Sequence, residues 1–335
     1  MTQNPPHSTR MARLTQWVEA QGYPVDKIES ASSDASFRHY YRLHSEDDTY
    51  IVMDAPPDKE NSHPFVAVAN ALLELGLNVP EIFAMDLEQG FLLLSDLGST
   101  QYLAALTPER VDRLYGDALG ALNQLQVCSL DHPLNLPPYD AELLHREMDL
   151  FSVWYLEKHL ALALNLAQKK VLQAVFDLLA TSALQQPVVW VHRDYHSRNL
   201  MLDDRHNPGV LDFQDAVKGP ITYDLVSLLK DCYIQWGEQQ IQDWALGFYD
   251  LAIQSGTLKG EEVSKEQFLR WFDWMGVQRH LKATGIFARL FHRDGKMGYL
   301  KDIPRTLSYI KAVSGKYQEL HAFHGLMEEL AVYLV

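Results

Sequence analysis

The sequence predicts an α+β protein of two lobes, a small antiparallel sheet followed by a larger and mostly helical body. Three observations carry this. Alternating strand-like segments fill the chain up to Ser95, whereas from Ser99 onward apolar residues recur at helical spacing. The helical part is interrupted by a polar run, His192-Arg193-Asp194-Tyr195-His196-Ser197-Arg198-Asn199, set between apolar Val188–Val191 and Leu200–Leu202. The chain has 335 residues, 47% hydrophobic and 22% charged, which is enough for two separate cores. The boundary is expected between residues 97 and 98, with lobes of 1–97 and 98–335.

Taken in order, Ser8 is placed to cap a helix carrying Met11, Leu14, Trp17 and Val18, which Gly22 and Pro24 stop. A first strand runs into the small-residue loop Ser30–Ser36, Phe37–Leu43 returns from it, and Thr49–Asp54 is a third strand. A helix over about Pro64–Leu75 ends at Gly76; Glu81–Met85 and Phe91–Ser95 are strands joined by a turn at Glu88-Gln89-Gly90. Asp96-Leu97-Gly98 breaks the pattern. Helices follow over Pro108–Val127, Ala141–His159 and Gln168–Leu184. The aromatic face of Met148, Phe151, Trp154 and Tyr155 reads as core. Asp224 reads as a helix N-terminal residue whose carboxylate holds backbone N–H groups.

Bulk charge narrows the partners. With 29 Lys and Arg against 44 Asp and Glu, the net charge is −15, which disfavours nucleic acid and anionic membrane. An anionic nucleotide would need a local positive pocket or a metal. Cys128 and Cys232 form no metal or redox spacing, and no apolar run reaches the roughly 18 residues of a membrane span. A cytoplasmic monomer acting on a small molecule is expected.

The chemistry concentrates between Val188 and Asp215. Two short strands around the turn Asp203, Asp204, Asn207, Pro208, Gly209 would bring Asp194, Asn199 and Asp212 together. That supplies one carboxylate to take a proton, and an amide and a second carboxylate for a hard divalent ion. Any one of these residues alone would read as a turn former. Their joint spacing reads as a site.

The spacing H-R-D-x-x-x-x-N followed by Asp212-Phe213 resembles the catalytic and metal loops of kinases. With His192, Asp194, His196 and Asn199, it is similar to the H-x-D-x-H-x-x-N loop of the aminoglycoside phosphotransferase superfamily. The resemblance implies a two-lobed protein-kinase-like fold, ATP and Mg2+ as cofactors, Asp194 as general base, and Asn199 and Asp212 as magnesium ligands. It also places Ser32, Ser33 and Ser36 over the phosphates, and Ser95, Asp96 and Leu97 beside the adenine. Further stretches resemble one branch, the bacterial anomeric kinases of cell-wall recycling that act on N-acetylmuramate and N-acetylglucosamine. These are Ser32–Arg38, Val52–Pro57, Ser95–Gly98, Asp212–Ala216 and Phe287–Lys296.

One departure stands out. Met53 occupies the place of the usual phosphate-binding lysine, and Phe65-Val66-Ala67-Val68 the place of its glutamate partner. Arg38, Arg42 and Lys59 are the candidates to replace the lost charge. Asp212 is followed within a dozen residues by Tyr223-Asp224, too short for a peptide-docking segment, and His196 stands where protein kinases commonly carry lysine. A small-molecule acceptor is therefore expected, which the resemblance implies is an amino sugar. His196, Trp274, Arg289 and Arg293 are its candidate contacts, with part of the basic set receiving a lactyl carboxylate and Trp271 or Trp274 stacking on the sugar. An aminoglycoside or other amino-alcohol acceptor is the second reading, against which the basic C-terminal runs argue. A nucleotide-binding module without catalysis is a third, supported by the missing lysine–glutamate pair and opposed by retention of Asp194.

Overall fold

The alternating pattern of the N-terminal third becomes a five-stranded antiparallel sheet in the computed structural model, which describes residues 6–331 apart from 34–36. Its strands are β1 (Lys27–Ser33), β2 (His39–Ser45), β3 (Asp48–Asp54), β4 (Ile82–Asp86) and β5 (Phe91–Ser95), in the order β1-β2-β3-β5-β4. Helix α1 (Pro6–Ala20) lays Leu14, Trp17 and Val18 on Leu43, Val52, Phe91 and Leu93, the side chains of alternate strand positions. The helix is pinned by Arg10, whose Nε donates to Asp54 Oδ1 at 2.7 Å and whose Nη2 donates to the Gln89 carbonyl at 2.8 Å. Phe91 to Leu94 are all buried, so both faces of β5, which lies between β3 and β4, are covered. Gly90 is required where it stands: a Cβ there would lie 1.9 Å from the Ala55 carbonyl oxygen. Helix α2 (His63–Glu74) buries Phe65, Val68, Ala69, Ala71 and Leu72.

The hairpin of Leu200–Met201 with Gly209–Val210 groups with this first compact unit, which comprises Met1–Thr100 and Leu200–Asp215. Asn78 fastens it. The Asn78 side chain donates to Asp203 Oδ2 at 3.0 Å and to the His206 carbonyl, and its own carbonyl accepts the Val210 N–H at 2.7 Å.

The second unit, Gln101–Asn199 with Ala216–Val335, is helical. In chain order it holds α3 (Tyr102–Ala105), α4 (Val111–Cys128), α5 (Ala141–Leu150), α6 (Leu166–Leu184), α7 (Tyr223–Leu229), α8 (Glu238–Gln254), α9 (Lys265–Asp294), α10 (Ile303–Lys316) and α11 (His321–Ala331). Strand β6 (Val188–Val191) pairs antiparallel with Val217–Pro220. Helices α5, α6, α7, α8 and α10 pack against α9, which is 30 residues long and buried over most of its length. It starts at an N-cap, Ser264, whose Oγ accepts the Gln267 N–H, and stops at Gly295 in the left-handed region, φ 68°. A full set of partners satisfies its one buried carboxylate. Asp273 accepts from Lys230 Nζ at 2.7 Å, Lys316 Nζ at 2.8 Å and the Tyr317 hydroxyl at 2.7 Å.

The helix expected over Ala141–His159 is present with a change of winding. It is α-helical to Leu150 and π-helical over Phe151–His159. The change falls where α9 touches it, since a Cβ on Gly285 would lie 2.3 Å from the Leu150 carbonyl carbon. Among the described residues no helix is long and apolar enough to cross a membrane.

The Gly285 contact gives a test of the packing. Gly285→Ala forces two backbones apart and is expected to cost about 3 kcal/mol or more, a fall of roughly 6–12 °C in melting temperature. Gly298, around whose Cβ position there is open space, is the comparison, and Gly298→Ala should shift melting by about a degree at most. Equal melting of the two variants would contradict the close crossing.

Candidate active site

The polar run after β6 is held in place by carboxylates from far along the chain. Asp224 Oδ2 accepts the His192 N–H at 2.6 Å and its Oδ1 accepts the Arg193 N–H at 3.0 Å. Asp231 Oδ2 accepts the Ser197 N–H at 2.9 Å. Both carboxylates are buried. Within the loop the His192 ring nitrogen Nδ1 accepts the Asp194 N–H at 3.2 Å, and the Asp194 carbonyl accepts the His196 N–H at 3.0 Å. The Tyr195 hydroxyl donates to the Ala118 carbonyl at 2.8 Å, anchoring the loop on α4. Arg193 is in the left-handed region, φ 77°, an uncommon conformation for a residue with a side chain. Asp224 was expected to hold N–H groups of its own helix. It holds those of the loop instead, a long-range role that helix-cap patterns do not reveal.

These anchors leave Asp194 half-buried amid positive charge. Burial alone would raise its carboxyl, but Lys282, His196, Arg279 and Arg193 outweigh that and bring it down to about 2. Burial pushes His196 down to about 4, so the ring is neutral at neutral pH and Lys282, Arg279 and Arg193 are the lasting cations. Lys282 Nζ lies 3.1 Å from Glu147 and 2.9 Å from the Tyr223 hydroxyl. Arg193 Nη2 pairs with the same carboxylate, which also accepts from the Tyr139 hydroxyl. Glu147 was not singled out in the sequence. Its signal was available, a glutamate beside Met148 on the otherwise apolar face of α5 formed with Leu144.

Asn199 is brought to Asp194 directly: its Nδ2 donates to the Asp194 carbonyl at 3.0 Å. Asp212 belongs to the first unit, two residues beyond the hairpin strand, at φ 65°. Its Oδ1 accepts from Gln214 Nε2 at 2.7 Å, and Phe213 packs on Phe65 with ring centroids 5.0 Å apart. An amide oxygen and a carboxylate are hard donors of the kind magnesium takes alongside phosphates and water. Among the described residues no group of three or more His, Cys, Asp or Glu is arranged to hold a metal.

The residues expected around the nucleotide lie in the first unit. Ser36 lies outside the described residues, and for Ser32 and Ser33 only the backbone, at the end of β1, is described. Ser95 is engaged by Glu81, whose N–H donates to the Ser95 Oγ at 2.9 Å and whose carbonyl accepts the Ser95 N–H at 2.9 Å. The Asp96 carboxylate grips Arg42, at 2.6 and 3.0 Å, and Arg42 also donates to the Gly98 carbonyl. Leu97 packs its side chain near Gly209. Of the three candidates for the missing charge, Arg42 is therefore committed to Asp96. Lys59 is exposed beside Asp58, and Arg38 is buried and paired with Glu60 at 3.2 Å.

The proposed acceptor contacts have different surroundings. His196 stands edge-on to Tyr233, centroids 5.3 Å apart, in an aromatic group that includes Phe287 and Tyr299, with the Arg198 guanidinium 4.6 Å from the Tyr233 ring. Arg289 is half-buried. Arg293 is exposed and forks onto Asp294 at 2.7 and 2.9 Å. Trp274 is buried, with Arg270 4.3 Å above its ring and Tyr317 at its edge, which leaves it no open face for a sugar.

A family model described as the phosphotransferase enzyme family matches residues 27–254. An N-acetylmuramate/N-acetylglucosamine kinase of Pseudomonas putida is 45% identical, covering 97% of this chain and 98% of its own. The protein of the same name from Neisseria meningitidis is 42% identical over 96% of both chains. Among solved structures, a choline kinase of Streptococcus pneumoniae aligns at TM-score 0.62 and 13% identity, covering 90% of this chain and 98% of that one. The ADP-bound aminoglycoside phosphotransferase APH(2'')-Ib aligns at TM-score 0.57 and 15% identity, covering 90% and 97%. The protein-kinase-like fold is thereby shown.

The charges around Asp194 set the pH behaviour. Its folded value lies below the ordinary carboxylate value, so its contribution to stability is present above pH 4 or so and is lost as pH falls through about 2. Between pH 5 and 8 neither Asp194 nor His196 changes charge. The pH profile of kcat/KM for His196→Asn should therefore keep the shape of the parent profile over that range. A limb between pH 6 and 7 that disappears in the variant would contradict the assignment.

Proposed function

The chain belongs to the phosphotransferase enzyme family, and on that premise we propose that it is a sugar kinase. It transfers the γ-phosphoryl group of ATP to the anomeric hydroxyl of N-acetylmuramate and N-acetylglucosamine, giving sugar 1-phosphates for cell-wall recycling. The observation that carries this is the ring of cations, Lys282, Arg279 and Arg193, around the one carboxylate placed to act as base. It is set in a protein of net charge −15. Such surroundings suit an acceptor that is neutral or anionic and repel a polycation, in keeping with the nearly full-length similarity to kinases named for these two sugars.

Phosphoryl transfer depends on positioning and on neutralising charge more than on a strong base. An Asp194 held ionised accepts a hydrogen bond from the acceptor hydroxyl, fixes its direction, and takes the proton late. Asn199 and Asp212 are assigned to magnesium, which when bound supplies charge neutralisation at the phosphates. Arg38, buried and braced by Glu60 immediately after the Ser32–Ser36 loop, is the strongest of the three replacements for the absent lysine. Its pairing repeats the lysine–glutamate arrangement with other residues. The protein is read as a cytoplasmic monomer with no nucleic-acid or membrane partner.

An amino-alcohol acceptor is the second reading, because the solved structures that share the fold include choline and aminoglycoside kinases. The two separate in one assay. Purified protein with magnesium and ATP is offered N-acetylmuramate, N-acetylglucosamine, kanamycin and choline in parallel, following ADP release and loss of the sugar reducing end. Turnover is expected on the two acetylated sugars with loss of the reducing end, and Asp194→Asn should lower it by about 1,000-fold or more. Turnover on kanamycin or choline alone would move the protein to the other reading.

A further inference from the structure

We infer that Arg279 is the residue that receives the carboxylate of an anionic acceptor beside Asp194, and so sets the preference between N-acetylmuramate and N-acetylglucosamine. This rests on the sugar-kinase reading and adds to it the cation that distinguishes the two substrates, which differ in a lactyl ether bearing a carboxylate.

A missing partner is the first ground. Four Lys or Arg side chains are buried among the described residues: Arg38, Lys230, Arg279 and Lys282. Three have carboxylates, Glu60 for Arg38, Asp273 for Lys230 and Glu147 for Lys282. Arg279, 5% exposed, has none within ion-pair distance. Its Nη1 donates to Cys232 Sγ at 3.4 Å and its Nε makes no hydrogen bond. Burial raises the Cys232 thiol to about 11, so that partner is uncharged. The nearby carboxylates of Asp194 and Asp231 act on the guanidinium through space without a hydrogen bond to it, so an arriving carboxylate would be its first partner in direct contact. The weak thiol bond is easily given up, so an acceptor lacking the carboxylate is tolerated.

Position is the second. Cys232 lies between Asp231, which holds the Ser197 N–H of the catalytic loop, and Tyr233, which stands against His196. Lys282, one turn further along α9, is tied through Glu147 to Arg193, the neighbour of Asp194 in sequence. Arg279, Lys282, Arg289 and Arg293 fall within about 80° of arc on α9 and span about 21 Å of it, with Arg279 at the loop end. Arg289, half-buried two turns beyond Lys282, is the next cation along that arc. Lys282 is already satisfied by Glu147 and Tyr223, and Arg293 by Asp294.

The test is a cycle between protein and ligand. Values of kcat/KM are measured for N-acetylmuramate, its methyl ester and N-acetylglucosamine with the wild-type protein, Arg279→Gln, Arg279→Lys and Arg289→Gln. The expected result is a loss for Arg279→Gln on N-acetylmuramate that exceeds its loss on the ester and on N-acetylglucosamine by about 10-fold or more. Arg279→Lys should recover part of the N-acetylmuramate loss. Turnover of N-acetylglucosamine also shows that each variant is folded. Equal losses on all three substrates would overturn the inference, because Arg279 would then serve the loop or the phosphates. A selective loss in Arg289→Gln in place of Arg279→Gln would overturn it too. Failure of the wild-type protein on both sugars would instead remove the sugar-kinase reading, and the inference with it.

Discussion

Two buried carboxylates, Asp224 and Asp231, bear the placement of the loop that carries Asp194. Between them they accept the N–H groups of His192, Arg193 and Ser197. These N–H groups, in a loop that follows no regular ladder, would otherwise be buried without partners, at about 1–3 kcal/mol each. The carboxylates are costly in turn. Burial raises Asp224 to about 6, partly offset by the two backbone N–H groups it accepts. A folded value above the ordinary carboxylate one means that this group favours folding at low pH, and that the contribution is lost as pH rises through about 6. Near neutrality the ionised Asp224 therefore works against stability while it holds the loop. A fixed geometry for Asp194 is obtained at that expense, as is common where local structure serves function.

Charge is distributed against its global balance. The chain carries 44 acidic residues, yet Asp194 is held down by the nearby cations Lys282, Arg279 and Arg193. Glu147 shows how this is kept tolerable: one buried carboxylate serves both Arg193 and Lys282, with Tyr139 and Gln278 closing its remaining valences. Together Lys282, Arg279 and Arg193 hold Asp194 ionised.

Much of this was legible in the sequence, and what was hidden follows one rule. The sheet, the order of helices and the loop carrying Asp194 and Asn199 were legible because each depends on neighbours within a few residues. Strand alternation, the Gly and Pro stops, and the fixed spacing from His192 to Asn199 are local. The partners that hold the loop were not. Asp224 reaches back 32 residues to His192, and Glu147 forward 46 to Arg193. From sequence, the first looks like a helix cap and the second like a surface charge. Trp274 shows the reverse error. Its residue type suits a sugar platform, but burial between Arg270 and Tyr317 follows from which face of α9 it occupies, and α9 is covered on nearly every face. The break in winding at Leu150 was also beyond reach, since it arises where the backbone of α9 passes at Gly285.

The central claim is that the catalytic loop is prearranged by these buried carboxylates in the free enzyme. Amide hydrogen exchange of His192, Arg193 and Ser197 in the absence of nucleotide and sugar tests it most directly. The account requires protection close to that of the buried stretch of α9, falling at 192 and 193 in Asp224→Asn and at 197 in Asp231→Asn. Exchange of those amides at the rate of an exposed loop in the parent protein would contradict it.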